Sequence, residues 1–223
     1  MQKRSSPSGA AEADPERSLF AQLLQPLREA GVPVHLTLGN HDERDVFYSA
    51  LARERPSAPA VVSRHVAVVK TARANFFLLD SLKQTMIAPG DLGDEQLKWL
   101  TAGLDTHRDK PAIIMVHHNP RLGGDPKHFP GGLMDSQPLW DVLETRRHVK
   151  AYLHGHVHDW GLAAHAEIHI VNTPATSYVA NPQVSTTGWT MARLRDEGLG
   201  LTTRTHLTGH EWNHKSHELS WRV

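Results

Sequence analysis

Apolar and polar positions alternate along the chain in blocks that predict helices and strands in turn. Residues 16–30 carry Leu and Phe at helical spacing, which predicts an amphipathic helix that Pro26 should end or kink. Short, almost wholly apolar runs at 32–38, 112–116 and 149–153 are typical of buried strands.

The remaining blocks extend this alternation to the end of the chain. Strands interleaved with helices predict an α/β fold in layers, and antiparallel-looking pairs near the end add a mixed character. The pattern predicts helices between the Gly39–Asp42 segment and Arg55, at 94–107 and at 136–146, and strands at 61–70, 75–79, 167–171, 189–195 and 199–205.

Both ends of the chain differ from this central pattern. Residues 1–15 are rich in Ser, Ala, Gly and Pro without periodicity, which predicts a disordered lead-in rather than a secretory signal. Residues 206–223 contain four His among mixed polar residues, which we interpret as a solvated, His-rich tail. The sequence therefore predicts one folded domain over residues 16–205.

Composition narrows the class of protein. Of 223 residues, 39% are apolar and 22% charged, which is typical of a globular protein. Equal numbers of basic and acidic residues, 24 of each, argue against a nucleic-acid polymer as partner. No apolar run reaches the roughly 20 residues that a membrane helix needs, so no membrane partner is expected. The absence of Cys excludes thiolate chemistry and disulfides.

Histidine is the abundant chemical residue. The 17 His outnumber the 5 Phe, 3 Tyr and 6 Trp together. Three predicted strands end in polar clusters, at 39–42 (GNHD), 117–120 (HHNP) and 154–158 (HGHVH). A single His is ordinarily a hydrogen-bonded or exposed residue, but ligands of layered α/β proteins bind at the carboxyl ends of strands. Three such clusters favour one convergent site, and on a regular strand His156 and His158 would share a face.

The order GNHD, His pair and GHVH resembles the calcineurin-like metallophosphoesterases, and among them the class III cyclic-nucleotide phosphodiesterases. The segments 79–81 (LDS), 90–100 and 111–120 also follow the run that is usual in this family, and the resemblance covers about residues 16–205. It implies a four-layer sandwich in which two mixed β-sheets are flanked by helices.

The resemblance also implies a metal centre. Family members hold two divalent ions, commonly Mn, Fe or Zn, and a bridging hydroxide attacks the phosphorus of a phosphate mono- or diester, cyclic nucleotides included. Asn40, His117 and His156 match ligands of the second ion, and His158 matches a ligand of the first. Imidazole nitrogens and an amide oxygen suit divalent transition metals.

Three further residues receive roles from the same comparison. His41 matches the residue that contacts the phosphate and protonates the leaving oxygen, and Asp42 matches its orienting partner. A His held by Asp is suited to general acid catalysis. His118, next to a ligand position, is expected to contact either substrate or solvent.

One departure from the family leaves two functions open. The family pattern begins with Asp-x-His and Gly-Asp-x-x-Asp, and neither occurs among the residues before Gly39. We therefore expect a fold lacking its first βαβ portion and at most one bound ion. The first hypothesis is a cytoplasmic, metal-dependent hydrolase of a small phosphoester. The alternative is a catalytically inactive family member with a binding or structural role.

Overall fold

The computed structural model describes residues 15–122 and 131–223, and the chain divides into two compact units. Of the predicted lead-in, residues 1–14 lie outside the described residues. In its described residues the first unit contains two helices, and an Arg28–Glu54 ion pair of 2.8 Å lies within it. Its elements are α1 (Pro15–Glu29), α2 (Arg44–Ala50) and a 3₁₀ turn, Ala52–Glu54.

Helix α1 confirms the amphipathic helix that the sequence predicts. Pro26 does not end it, since the helix continues to Glu29, and the chain turns at Gly31, whose φ is 71°. The apolar side chains of α1 stay exposed, Leu23 by 65%. None of the helices in the described part of the chain is both long and apolar enough to cross a bilayer.

A six-stranded mixed sheet forms the centre of the second unit. The strand order is β1-β2-β3-β4-β6-β5, with β2, β3, β4 and β6 parallel and each edge strand antiparallel to its neighbour. The strands are β1 (Ala67–Lys70), β2 (Asn75–Leu78), β3 (Ala112–Met115), β4 (Val149–His154), β5 (Gly161–His165) and β6 (Ile168–Asn172).

Strand β3 is buried on both faces, which explains its continuous apolar sequence. Ile114 belongs to the main core cluster together with side chains of α3 (Asp94–Thr106) and α4 (Ser136–Glu144). Its neighbour Ile113 points to the opposite face and joins a second cluster. The helices therefore cover one face of the sheet and leave the other for a further layer.

A three-stranded antiparallel sheet, in the order β7-β8-β9, supplies that layer. Leu194 and Trp221 pack against Ile113 and Leu153, which buries the second face of the central sheet. The two-sheet architecture predicted from the sequence is thus confirmed, although this second sheet is antiparallel rather than mixed. Its strands are β7 (Gly188–Arg195), β8 (Gly198–Thr205) and β9 (Ser216–Ser220).

The predicted strand at 32–38 is not formed. Leu38 is fully buried, as an apolar run predicts, but the segment pairs with no strand in the described part of the chain. An extended segment becomes a β-strand only through ladder hydrogen bonds to a neighbour. The apolar pattern therefore predicts neither the secondary structure of this segment nor, apart from Leu38, its burial, since Val32 is 46% exposed.

The C-terminal segment 206–223 is not the solvated tail that its composition predicts. Strand β9 lies within it and pairs with β8 over residues 216–220. Trp212 and Arg222 are 7% and 6% exposed. The mixed polar composition of the segment conceals the alternation of exposed and half-buried positions in β9, so the strand was missed.

Arg222 holds the end of the chain to the core. Its buried guanidinium donates hydrogen bonds to carbonyl oxygens around the end of α4 and the start of β4. The distances are 2.6 Å to Arg146, 2.9 Å to Val149, 3.1 Å to Leu143 and 2.8 Å to Ala166. Buried carbonyls are costly to leave without donors, so this one residue stabilises several backbone segments.

Replacement of Arg222 by Met should lower the free energy of unfolding by about 3 kcal/mol, because several buried carbonyls lose a charged donor. Arg195, whose ion pair with Glu218 is exposed, serves as the control, and Arg195→Met should cost under about 1 kcal/mol. Urea denaturation measures both values. Equal losses in the two variants would show that the buried hydrogen bonds of Arg222 stabilise the fold no more than the exposed ion pair of Arg195.

Candidate metal centre

Two adjacent parallel strands deliver histidines to one edge of the central sheet. His117 follows β3 and His156 follows β4, and these strands pair directly. The Gly155 amide donates to the His117 carbonyl at 3.0 Å, which extends the pairing beyond the strand ends. The predicted convergence of the clusters at 117–120 and 154–158 is therefore present at the carboxyl edge of the sheet.

The Gly39–Asp42 turn brings a third polar group to the same place. The Asp42 carboxylate accepts a hydrogen bond of 2.7 Å from the Gly39 amide, which closes the turn. The Asn40 carbonyl accepts another of 2.7 Å from the Met86 amide. Asn40 is buried, whereas His41 and Asp42 are exposed.

Three potential ligand atoms form a nearly equilateral triangle. His117 Nε2 lies 3.0 Å from Asn40 Oδ1 and 3.1 Å from His156 Nδ1. The distance from His156 Nδ1 to Asn40 Oδ1 is 3.2 Å. Ligands about 2.1 Å from one ion lie about 3 Å apart when they are neighbours in its coordination shell. The triangle thus has the size that a divalent ion requires.

Proton counting gives the same result. Asn40 Oδ1 only accepts, so both of its contacts need an imidazole N–H, and His117 Nε2 and His156 Nδ1 then have no lone pair left for the contact between them. A cation instead accepts a lone pair from each of the three atoms at once. The donor set, two imidazole nitrogens and one amide oxygen, suits Mn, Fe or Zn. The residues present therefore fit a divalent metal ion.

The loop after β4 has an unusual backbone. His156 and His158 have φ values of 66° and 57°, in the left-handed region that non-glycine residues rarely adopt. The expectation that a regular strand places both on one face is wrong, because β4 ends at His154. Such conformations cost of order 1 kcal/mol each and concentrate at functional sites.

Burial keeps the clustered imidazoles neutral. The pKa of His117 is lowered to about 3 and that of His156 to about 4, mainly by burial and to a smaller extent by neighbouring imidazoles. Burial also lowers the pKa of His158. Neutral imidazole is the form that binds a metal ion, so protons compete weakly for these ligands near neutral pH.

The ring of His118 packs against the rings of His117 and His156. Its side chain is fully buried, Nδ1 lies 2.7 Å from Ser81 Oγ, and Nε2 lies 3.0 Å from the Ala88 carbonyl. Its ring atoms lie close enough to those of His117 and His156 for one ligand cluster. Since both ring nitrogens are engaged elsewhere, this geometry gives no support to the predicted substrate contact.

His41 and His158 also lie near the triangle. A charge on His41 lowers the pKa of His117, His156 and His158, which places His41 close to all three. The exposed ring of Tyr178 lies edge-on to His158, with ring centroids 4.2 Å apart. Sequence reasoning missed Tyr178 and Ser81. Only the position of Ser81 just beyond β2, a neighbour of β3, could have signalled it.

The two-sheet fold places a cluster of His and Asn side chains at the ends of its parallel strands. A family profile described as calcineurin-like phosphoesterase matches residues 9–160. The chain belongs to this family.

Named relatives extend the comparison. The chain is 30% identical over 165 residues to the 3',5'-cyclic adenosine monophosphate phosphodiesterase CpdA of Vibrio vulnificus, covering 74% of this chain and 56% of that protein. It is 30% identical over 181 residues to CpdA of Escherichia coli K12, covering 75% and 61%. The chain thus spans less than two thirds of the length of these relatives.

The fold resembles that of a solved dimetal phosphatase from Danio rerio. The TM-score is 0.68 at 16% sequence identity, and the match covers 91% of this chain and 77% of the other. At that identity the likeness concerns the fold alone.

Stability of the metal-free protein should fall as the pH drops below about 6.5. The pKa of His117 and of His156 is lower in the folded chain than the ordinary value, so the unfolded chain takes up protons first. Each imidazole should cost up to about 1.4 kcal/mol per pH unit between about pH 6.5 and its folded pKa.

Urea denaturation with chelator at about pH 7, 6 and 5 measures this slope. His117→Asn should flatten it, and replacing the exposed His206 should not. A slope that His117→Asn leaves unchanged would contradict the assignment.

Proposed function

We propose that this chain is a metal-dependent phosphoesterase domain that acts on 3',5'-cyclic nucleotides. The observation that carries the proposal is the triangle of Asn40 Oδ1, His117 Nε2 and His156 Nδ1, with sides of 3.0–3.2 Å. Membership of the calcineurin-like phosphoesterase family supports phosphoester hydrolysis. The similarity to cyclic-AMP phosphodiesterases named CpdA supports cyclic nucleotides as the substrate class.

In this proposal Asn40, His117 and His156 hold one divalent ion, and His158 faces a second position beside it. A divalent ion supplies charge neutralisation to a phosphate and lowers the pKa of a bound water. The buried ligand set fixes the position of that charge at the strand ends. The left-handed backbone at His156 directs its Nδ1 towards Asn40 and His117.

His41 is the proposed general acid. Its exposed position next to the triangle allows its imidazolium to contact a phosphate oxygen and to donate a proton to the leaving oxygen. Asp42 fixes the turn that carries His41, through the hydrogen bond from Gly39 and a second from Thr85 Oγ1 to the Asp42 carbonyl at 2.7 Å.

Metal binding should be limited to one ion of Mn²⁺ per chain. Three ligand atoms meet at the triangle, whereas His158 is the one residue matched to the other position. Equilibrium dialysis followed by elemental analysis measures the stoichiometry. His117→Ala should weaken binding at least about tenfold, and His210→Ala, in the C-terminal segment, should not. Two tightly held ions, or wild-type affinity in His117→Ala, would contradict this centre.

Hydrolysis of 3',5'-cyclic AMP should depend on Mn²⁺ and on His41. His41→Ala should lower kcat by about 10²–10⁴, the usual contribution of a positioned general acid. The loss should be smaller with bis(p-nitrophenyl) phosphate, because p-nitrophenolate leaves without protonation whereas a ribose alkoxide does not. His206→Ala should match the wild type on both substrates. Equal losses on both substrates would exclude His41 as the acid.

The alternative is a family member that binds a phosphoester without hydrolysing it. The same assay distinguishes it, because such a protein would bind Mn²⁺ and cyclic AMP yet release no AMP. That result would overturn the hydrolytic proposal while leaving the metal centre intact.

A further inference from the structure

We infer that His118 is a positioning residue that holds the rings of His117 and His156 in the geometry needed to bind the ion. The inference rests on the proposed metal centre. It assigns to His118 neither ligation nor substrate contact. His118 instead acts through its packing against the rings of His117 and His156, which limits their rotation.

Ring packing is the first observation. The His118 ring centroid lies 4.9 Å from that of His117, at 90°, and 4.5 Å from that of His156, at 51°. The His117 and His156 centroids are 5.0 Å apart. The three rings therefore form one compact group in which movement of His118 opens space for both ligands to rotate.

Hydrogen bonding fixes the His118 ring itself. The Ala88 carbonyl can only accept, so His118 Nε2 carries the proton and donates across 3.0 Å. Nδ1 then accepts from the Ser81 hydroxyl at 2.7 Å. The Tyr152 hydroxyl also donates to the His118 carbonyl at 2.7 Å. Side chain and backbone are thus both held, and no lone pair of the ring remains for a metal ion.

Close contact with a glycine also restricts movement of the His118 ring. A Cβ atom at Gly90 would lie only 2.6 Å from Cε1 of His118, so the ring rests directly on the backbone there. The rings of the two proposed ligands, His117 and His156, also lie directly against glycine residues. A Cβ at Gly39 would lie 2.8 Å from Cε1 of His117, and one at Gly131 would lie 2.9 Å from Nε2 of His156. The centre is therefore a closely packed set of rings that tolerates little displacement.

Two substitutions distinguish the contribution of the His118 ring from that of its two nitrogen atoms. His118→Phe keeps a planar ring between the ligands and loses both hydrogen bonds, so it should lower Tm while Mn²⁺ affinity stays within about threefold of wild type. His118→Ala removes the ring and should weaken Mn²⁺ binding at least about tenfold. Gly90→Ala displaces the ring without removing any polar group, and it should weaken binding similarly.

The experiment is a titration of the metal-free full chain with Mn²⁺, following the EPR signal of the free ion, with Tm measured in parallel. His169→Ala is the matched control. His169 also contacts a backbone carbonyl, that of Ser220 at 2.6 Å, but it lies on β6 away from the centre. It should lower Tm and leave the Kd for Mn²⁺ unchanged.

Each outcome decides the inference. Wild-type affinity in His118→Ala would overturn it, and so would a loss in His118→Phe as large as in His118→Ala, which would assign the effect to the nitrogens. If His118→Ala fails to fold, Gly90→Ala decides, and wild-type affinity there contradicts the inference. A wild-type chain that binds no Mn²⁺ would instead contradict the metal centre itself, and the inference with it.

Discussion

The structure depends on holding three lone-pair atoms within 3.2 Å of one another in a buried place. Asn40 Oδ1, His117 Nε2 and His156 Nδ1 come from three distant parts of the sequence. Without a cation between them these atoms share too few protons to satisfy every contact. The local energetics therefore oppose the arrangement, and the surrounding fold must impose it.

Several features of the fold serve this constraint. The parallel pairing of β3 with β4 fixes the separation of His117 and His156, and the buried apolar core beneath the edge keeps the strands in register. The backbone accepts left-handed conformations at two non-glycine residues, and burial lowers the pKa of each ligand imidazole. Such unfavourable local arrangements persist where a function requires them, because the surrounding structure holds them in place.

The sequence predicts the parts of this centre that local patterns encode. Apolar runs identified β3 and β4, and the polar residues at their ends identified His117 and His156. Features that depend on contacts between residues far apart in the sequence could not be predicted from local patterns. The run at 32–38 has the local pattern of a buried strand, yet Leu38 is its one fully buried residue and the run pairs with no strand in the described part of the chain.

Other omissions have a related cause. Strand β9 was obscured by the mixed polar composition of its segment, and only its pairing with β8 reveals it. The roles of Ser81 and Gly90 arise from contact with His118, which lies far along the chain from both. A composition or a spacing cannot show which side chain a buried ring rests on.

The central claim is the position of the ion, and anomalous diffraction from crystals soaked in Mn²⁺ tests it most directly. The account predicts one strong peak about 2.1–2.3 Å from Asn40 Oδ1, His117 Nε2 and His156 Nδ1, with His118 still bonded to Ser81 and Ala88. A peak among the His residues of segment 206–217 alone, or an ion bound by His118 in place of Asn40, would contradict it.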